Sequence, residues 1–297
     1  MKYQNITPPR YFIIKALAVL FGLLALTPLL EVKAAEVSIY IRNDVYMDYL
    51  EFLDNRDVIN ITDYSGKNAR RDVADIIIAL QSLHLGGFKH KFRLSSGNVN
   101  YRNKKMLQTG ELLISLDSYW LTDAKAIEQD VYISSPVIRQ GEYVAGVYTS
   151  PNNVKTLATQ RLTDFHKLTG VSTPKWRTDW ETMTSLNLAE LIQEDQWISM
   201  ARLVSQGWVD FMLMPFHQDT KQDYKIYKVH LVPVPNIAIM LNGSRHFVVS
   251  KHHPLGESAI KALEKGMAIL RQQGRIKKTY IQAGFFVDTK EANILNK

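Results

Sequence analysis

Strand-like and helix-like segments alternate through the first half of the chain. Residues 37–41 are rich in β-branched side chains, whereas 70–85 carry apolar side chains at helical spacing and end at Gly86-Gly87. The pattern predicts strands at 37–41, 90–94 and 111–116, with helices at 70–85 and 101–109 between them. This alternation is typical of an α/β fold, and the continuous apolar run at 111–116 favours a buried parallel strand.

The second half of the chain continues the alternation with shorter segments. A helical region from 254 to 280 is broken at Gly274. Asn242-Gly243 separates two predicted strands, 237–241 and 246–250, and is typical of a hairpin turn. The other predicted segments are strands at 141–148 and 209–214, helices at 162–169, 180–186, 188–192 and 197–205, and an extended segment at 224–235.

The chain contains no cysteine among its 297 residues. It therefore cannot form disulfides, thiolate zinc sites or iron–sulfur clusters, and it cannot carry the bacterial lipid anchor that requires a cysteine. Its length is that of about two domains, and its 46% hydrophobic content is ample for a core. The eight histidines show no metal-binding spacing, and no phosphate-loop or nucleophile-elbow motif is present. We expect no metal and no cofactor.

The N-terminal segment is typical of a secretory signal peptide. Residues 1–15 carry three basic residues and no acid, residues 16–30 are almost entirely apolar, and Ala34 and Ala35 offer cleavage sites. A retained membrane anchor is the alternative, although a span needs about 20 apolar residues. We expect cleavage of 1–34 and a periplasmic location. Because this segment has a net charge of +3, the overall +7 falls to +4, which is too little to indicate nucleic-acid binding.

Four further motifs follow one another along the chain, at 103–111, at 121–125 with 134–137, at 203–210, and at 247–255 with 263–280. The last is the most specific, because a strand, a Ser-Lys-x-His-Pro turn, a helix and a Gly-x-Ile-x-x-x-Tyr tail occur in sequence. In their order and spacing these motifs resemble the bacterial extracellular solute-binding proteins of the amino-acid type, known as family 3. The resemblance covers about 37–285.

The resemblance implies an α/β protein of two lobes, the type 2 periplasmic binding protein fold. One lobe would comprise 36–140 and 241–297, the other 141–240, and crossover strands near 141–148 and 236–241 would form the hinge. A monomer of this kind closes around a small polar solute, amino-acid-like or polyamine-like, and passes it to an ABC-type importer. It catalyses no reaction.

Two alternative functions stay open. The same binder can act as a ligand sensor, in which case its partner is a membrane signalling protein. A cleft enzyme of the dehydratase or cell-wall lytic type is the third interpretation, and Asp117 or Glu142 would then supply the acid.

In the first predicted lobe, the candidate ligand-binding residues follow the predicted strands. They are Tyr46 and Tyr49 after the first strand, Ser95 and Asn98 after the second, and Asp117, Ser118, Tyr119 and Trp120 after the third. The family often places an aromatic side chain over the ligand at the first of these positions. Ordinary packing of the aromatic rings, turn chemistry and helix capping are the alternatives.

The segment Thr-Asp-Ala-Lys at 122–125 is similar to the Thr-x-x-Arg of the family, whose arginine binds the α-carboxylate of the ligand. Here Lys125 takes that position, and a lysine is a point charge without the planar fork of arginine. An amino-acid ligand is therefore less firmly implied. A solvated surface lysine is the alternative.

In the second predicted lobe, Arg177 and Thr178 precede a predicted helix, whose N-terminus suits an anion. Phe216 and His217 follow the predicted strand at 209–214, where the family contacts its ligand. A helix N-cap and a structural loop are the alternatives.

Overall fold

The computed structural model describes residues 36–97, 100–216, 223–286 and 292–297. The predicted signal peptide, Asn98 and His217 lie outside these residues. The strands are β1 (Val37–Arg42), β2 (Phe92–Gly97), β3 (Tyr119–Trp120), β4 (Val131–Ile138), β5 (Val144–Thr149), β6 (Thr169–Ser172), β7 (Glu190–Gln193), β8 (Met212–Met214), β9 (Tyr224–Ile226), β10 (Val229–Pro233), β11 (Ile237–Met240), β12 (Arg245–Ser250) and β13 (Asn293–Ile294). The helices are α1 (Asn43–Leu53), α2 (Arg71–Leu85), α3 (Asn100–Thr109), α4 (Leu121–Lys125), α5 (Val154–Leu157), α6 (Arg177–Ser185), α7 (Trp197–Ser205), α8 (Gly256–Gln272) and α9 (Arg275–Gln282).

The first two strands form a parallel pair, in which Val37 lies opposite Phe92 and Arg42 opposite Gly97. Both α1 and α2 come between them in the chain, because parallel neighbours need a long crossover connection. The helix predicted at 70–85 is confirmed as α2. Its residues from Asp72 to Leu83 are all buried, so α2 lies inside the core instead of on the surface.

Glycines allow α2 and α8 to approach each other closely. A Cβ atom at Gly266 would lie 1.8 Å from the carbonyl oxygen of Ser82, and a Cβ atom at Gly86 would lie 1.8 Å from that of Ala262. Both distances are far inside van der Waals contact, so any side chain at these positions would force the two backbones apart. The contact fixes α2 against α8.

The strand β12 is the centre of an antiparallel sheet and lies between β3 and β4. The parallel strand predicted at 111–116 is wrong. Residues 112–116 are buried beside β12, but the segment joins it only through one isolated antiparallel bridge, between Ile114 and Val249. The regular pairing resumes at β3, where Trp120 lies opposite Arg245.

A second parallel pair consists of β6 and β7, with Thr169 opposite Glu190. Phe211, just before β8, extends this pair through a parallel bridge to Gly170. The helix predicted at 188–192 is wrong, because this stretch contributes to β7. A short apolar run fits a helix and a strand equally well by periodicity, and here the pairing with β6 decides.

A larger sheet surrounds β5, which pairs antiparallel with β8, β10 and β11. The strands β11 and β12 belong to different sheets, so the hairpin predicted around Asn242-Gly243 is wrong. The two strands expected to cross between the lobes, β5 and β11, lie side by side, with Ala145 opposite Ile239. Residues 36–297 form one compact unit, and the boundaries of the two lobes remain a prediction.

Candidate ligand-binding cleft

A cavity of about 270 Å³ draws its walls from distant parts of the chain. Its lining residues are Arg71, Trp120, Tyr143, Trp176, Asp179, Trp197, Leu213, Met214, Pro215, Arg245 and Phe285. A second cavity, of about 400 Å³, shares Arg71, Pro215 and Phe285 with the first. Because residues from both predicted lobes line these spaces, we call them together the cleft.

Arg71 opens α2 and reaches three carboxylates. Its guanidinium lies 2.8 Å from Asp75 and 2.9 Å from Asp117, and it also contacts Asp72. Burial lowers the pKa of Arg71, but these carboxylates more than offset that effect and the pKa is raised well above its ordinary value. The positive charge of Arg71 is therefore permanent and already paired.

Asp75 lies beneath Arg71 and is completely buried. Its carboxylate accepts hydrogen bonds from the backbone amide of Ser118 at 3.0 Å, from the Ser118 hydroxyl at 2.7 Å and from the Tyr280 hydroxyl at 2.5 Å. Burial raises the pKa of Asp75, and Arg71 opposes that shift. These bonds join α2, the end of the segment 111–116 and α9 into one polar network.

Arg245, the first residue of β12, is the second guanidinium of the cleft. Its Nε donates to the Ser118 hydroxyl at 2.9 Å, one Nη atom donates to the Ser118 carbonyl oxygen, and its Cζ lies 4.8 Å from the centre of the Trp120 ring. The side chain is only 11% exposed, and burial together with nearby Arg71 lowers its pKa. The same Nη2 atom lies 3.6 Å from the Asp117 carboxylate, so the charge of Arg245 has a partner. Among the described residues, the Nη1 atom has no hydrogen-bond partner and can still donate.

Asp179, in the first turn of α6, lines the same cavity from the second predicted lobe. Within the described parts of the chain it has no ion-pair partner within 4 Å. Burial raises its pKa to about 6, against the opposing field of Arg245. The cleft thus holds an unpaired carboxylate and a guanidinium with a free donor.

Aromatic rings connect the cleft to the core. The rings of Trp120 and Tyr143 are 6.3 Å apart, and Tyr143 stacks on Phe285 at 4.2 Å. A Cβ atom at Gly243 would lie 3.0 Å from the Trp120 ring and 3.3 Å from the Thr178 methyl group. Trp120 and Thr178, which belong to different predicted lobes, therefore both approach Gly243.

A smaller cavity of about 230 Å³ lies at the carboxyl end of β1. Apart from aliphatic side chains and the Tyr40 ring, its lining is polar and consists of Arg42, Asp72, Asn103, Ser115, Asp117 and Tyr119. The Oδ1 atom of Asn103 is buried and has no hydrogen-bond partner in the part of the chain that the structure describes. Since Asp117 also contacts Arg71, this cavity borders the cleft.

Three of the four candidates at 117–120 line these cavities. Asp117 and Tyr119 line the β1 cavity, and Trp120 lines the cleft. Ser118 is buried behind them, where it accepts from Arg245 and donates to Asp75. Phe216 lines the second cavity of the cleft.

Other candidates lie outside the cleft. Tyr46 and Tyr49 line a separate groove, and the Tyr46 hydroxyl donates to the Leu94 carbonyl oxygen at 3.3 Å. Ser95 is part of β2, and its hydroxyl lies 3.5 Å from the Ile39 carbonyl oxygen. Lys125 ends α4 as an exposed side chain.

In the second predicted lobe, Arg177 is exposed at the start of α6 and is not among the lining residues. Thr178 is buried beside Gly243.

The sequence analysis did not predict that Arg71, Arg245 and Asp179 line the cleft. One signal was present in the pair Arg70-Arg71 at the start of a helix, since cations are unfavourable at a helix N-terminus and need a compensating partner. Arg245 was hidden because it begins an apolar strand whose neighbour, β3, lies more than a hundred residues away in the chain.

No protein-family model matches this chain, and no curated protein sequence matches it significantly. Solved structures do match. The probable amino-acid ABC transporter extracellular-binding protein ytmK of Bacillus subtilis has a TM-score of 0.53 and 13% identity, over 70% of this chain and 86% of that one. The periplasmic VFT2 domain of Bordetella pertussis BvgS has a TM-score of 0.52 and 10% identity, over 85% and 93%. An ancestral cationic amino acid solute binding protein has a TM-score of 0.51 and 14% identity, over 85% and 96%.

These likenesses concern the fold, and they confirm the predicted α/β fold class. In the described ranges, none of the helices combines the length and the apolar character needed to cross a membrane. The same residues contain no cluster of three or more histidine, aspartate or glutamate side chains that could hold a metal ion.

Proposed function

We propose that this chain, which has the fold of the extracellular solute-binding proteins, captures a small polar solute in the cleft. The observation that carries the proposal is the pairing of opposite, incompletely satisfied charges in one cavity. Arg245 offers a free Nη1 donor, and Asp179 offers a carboxylate without a partner among the described residues. An amino-acid-like zwitterion matches both, with its carboxylate at Arg245 and its ammonium group at Asp179.

Arg245 provides the guanidinium that the family motif would place at Lys125. Lys125 lies outside the cleft, whereas Arg245 enters it from β12 and is held by Ser118 and Trp120. A guanidinium already fixed by two hydrogen bonds loses little conformational entropy when it binds a carboxylate. In this proposal the positive charge that binds the ligand comes from the strand β12, whereas the family motif would place it on the helix α4.

A polyamine-like solute fits less well. Asp179 and the rings of Trp176 and Trp197 would suit an ammonium group. The nearby guanidinium groups of Arg71 and Arg245 would repel a second positive charge. An amino-acid-like ligand is thus favoured over a polycation.

Capture is proposed to follow closure of two lobes, 36–140 with 241–297 and 141–240, about β5 and β11. The approach of Trp120 and Thr178 at Gly243 supports this hinge, because residues of both lobes meet next to the connecting strands. The protein would act in the periplasm as a monomer, after cleavage near Ala34 or Ala35, and deliver the solute to an ABC-type importer. A membrane signalling protein is the second candidate partner, and the likeness to the periplasmic VFT2 domain of BvgS is compatible with it.

The two acids considered for catalysis are both engaged. Asp117 is 58% exposed and pairs with Arg71, and Glu142 lies 3.6 Å from Arg271. Each carboxylate is thus held in an ion pair, and we propose binding without chemistry.

Calorimetric titration with the common amino acids, short peptides and polyamines tests the proposal. We expect one amino-acid-like ligand to bind and to raise the melting temperature as its concentration increases. Arg245→Ala and Asp179→Asn should each weaken its binding at least about tenfold, or about 1.4 kcal/mol. Arg177→Ala, which removes an exposed charge outside the cleft, is the matched control. Binding that survives both cleft substitutions would place the ligand elsewhere and overturn the proposal.

A further inference from the structure

A groove of about 750 Å³ lies beside β2, and it shares no lining residue with the cleft or with the β1 cavity. It runs between α1, the turn at 57–59, the end of α2 and β2. We call it the β2 groove. Its volume lies within the range of small-molecule sites, about 300–1,000 Å³.

The floor of the β2 groove is apolar and aromatic. The rings of Phe88 and Phe92 stack at 5.5 Å, and Leu80 and Leu94 continue the surface. The Tyr46 hydroxyl, which reaches across the groove, already donates to a backbone carbonyl oxygen. The floor therefore suits hydrocarbon and offers few hydrogen bonds to a polar solute.

Large apolar side chains continue this surface onto α1. Leu50, which lines the groove, is 43% exposed, and Met47, one turn earlier, is 55% exposed. A contiguous apolar patch on the surface of a protein marks a binding site more often than chance.

Two lysines without ion-pair partners among the described residues line one end of the groove. Lys89 and Lys91 are both exposed and line it, and neither has an ion-pair partner among the residues described. The acids of α1 do not neutralise them, because Asp44 pairs with Arg42, Asp48 with Arg70 and Glu51 with Lys67. The one carboxylate that lines the groove, Asp57, forms no ion pair with either lysine and accepts hydrogen bonds from the Ile59 amide and the Asn60 side chain. An anionic group at this end would meet two free ammonium groups.

We propose that the β2 groove binds an anionic amphiphile, with its apolar chain along Phe88, Phe92 and Leu94 and its carboxylate or phosphate head at Lys89 and Lys91. The apolar floor favours a ligand with a hydrocarbon chain, and the unpaired lysines favour a negatively charged head group. This site is independent of the solute captured in the cleft.

Calorimetry with single-chain probes below their micellar concentrations tests the site. Dodecanoate and dodecyl phosphate, which differ in the source of the negative charge, should both bind, and dodecyltrimethylammonium should bind at least about tenfold more weakly. The affinity for dodecanoate should fall as salt is raised, because the head is held at the surface. Equal binding of the anionic and cationic probes would overturn the proposal.

Substitutions locate the bound probe. Lys89→Glu with Lys91→Glu should weaken dodecanoate binding about tenfold or more, and Leu50→Ser should weaken it severalfold. The matched control is Lys228→Glu with Lys277→Glu, which makes the same charge change at two exposed lysines outside the groove. If the control variant loses as much affinity, general charge is responsible and the site is refuted.

Binding in the β2 groove is also distinguished from binding in the cleft and from contact with a membrane. Arg245→Ala should leave dodecanoate binding unchanged, and loss of binding in that variant would move the amphiphile into the cleft. Association with phosphatidylglycerol vesicles in the absence of any binding of monomeric dodecanoate or dodecyl phosphate would make this face a membrane contact instead, and the proposal would fail.

Discussion

The two walls of the cleft differ in how their charges are satisfied. On the first wall, Arg71 is held by a buried network that includes Asp75 and Ser118, in which nearly every polar atom has a partner within the protein. On the second wall, Asp179 lines the cavity together with Trp176 and Trp197, and it has no ion-pair partner in the described parts of the chain. The comparison indicates that folding alone provides partners for the charge on the first wall. The carboxylate of the second wall gains a partner only when it binds a ligand or a proton.

The largest effect on this contrast should come from the centre of the first wall. Asp75→Asn removes the buried carboxylate that faces Arg71, and breaking a buried ion pair costs about 3–5 kcal/mol. We expect a loss of that size in the free energy of unfolding, measured by urea denaturation. A loss below about 1 kcal/mol would mean that Asp72 and Asp117 alone hold Arg71.

A smaller effect is expected at the edge of the same network. Tyr280→Phe removes only the hydroxyl that donates to Asp75, and a hydrogen bond to a charged group contributes about 1.5–3 kcal/mol. The unfolding free energy should fall by about 2 kcal/mol. The Tyr49→Phe variant is the control, because that hydroxyl lies in the β2 groove and does not contact the network.

The second wall should respond in the opposite direction. Since the pKa of Asp179 is raised from 3.8 to about 6, folding favours its protonated form, and its contribution to stability is lost as the pH rises from about 4 through 6. Asp179→Asn should therefore stabilise the protein at pH 7 by about 1–2 kcal/mol, because one pKa unit is about 1.4 kcal/mol and the group is only partly buried. At a pH of about 4 the variant and the parent should have the same melting temperature. A destabilised variant at neutral pH would show that Asp179 has a partner in the folded protein.

The smallest effect tests the position that the family motif implies. Because Lys125 is exposed outside the cleft, Lys125→Ala should change neither the stability nor the affinity for the cleft ligand by more than about 0.5 kcal/mol. A tenfold loss of ligand affinity in this variant would restore Lys125 as the carboxylate-binding residue and weaken the role of Arg245.

Local sequence patterns predicted the helix and the strand end that border the cleft, but they did not predict its charged residues. The helical spacing at 70–85 predicted α2, and the polar and aromatic residues at 117–120 marked a strand end that borders two cavities. Both features depend on residues close together in the chain. The position of the Arg245 guanidinium in the cleft depends instead on the antiparallel register that sets Arg245 against Trp120, and no local pattern contains that register.

The glycine contact between α2 and α8 has a mechanical consequence. Because the two backbones touch at Gly86 and Gly266 with no side chain between them, α2 cannot slide or tilt without carrying α8 along. The first turn of α2, with Arg71, and the helix α8 should therefore move together as one rigid unit when the protein changes shape. The amide protons along this contact should be among the slowest in the molecule to exchange with solvent.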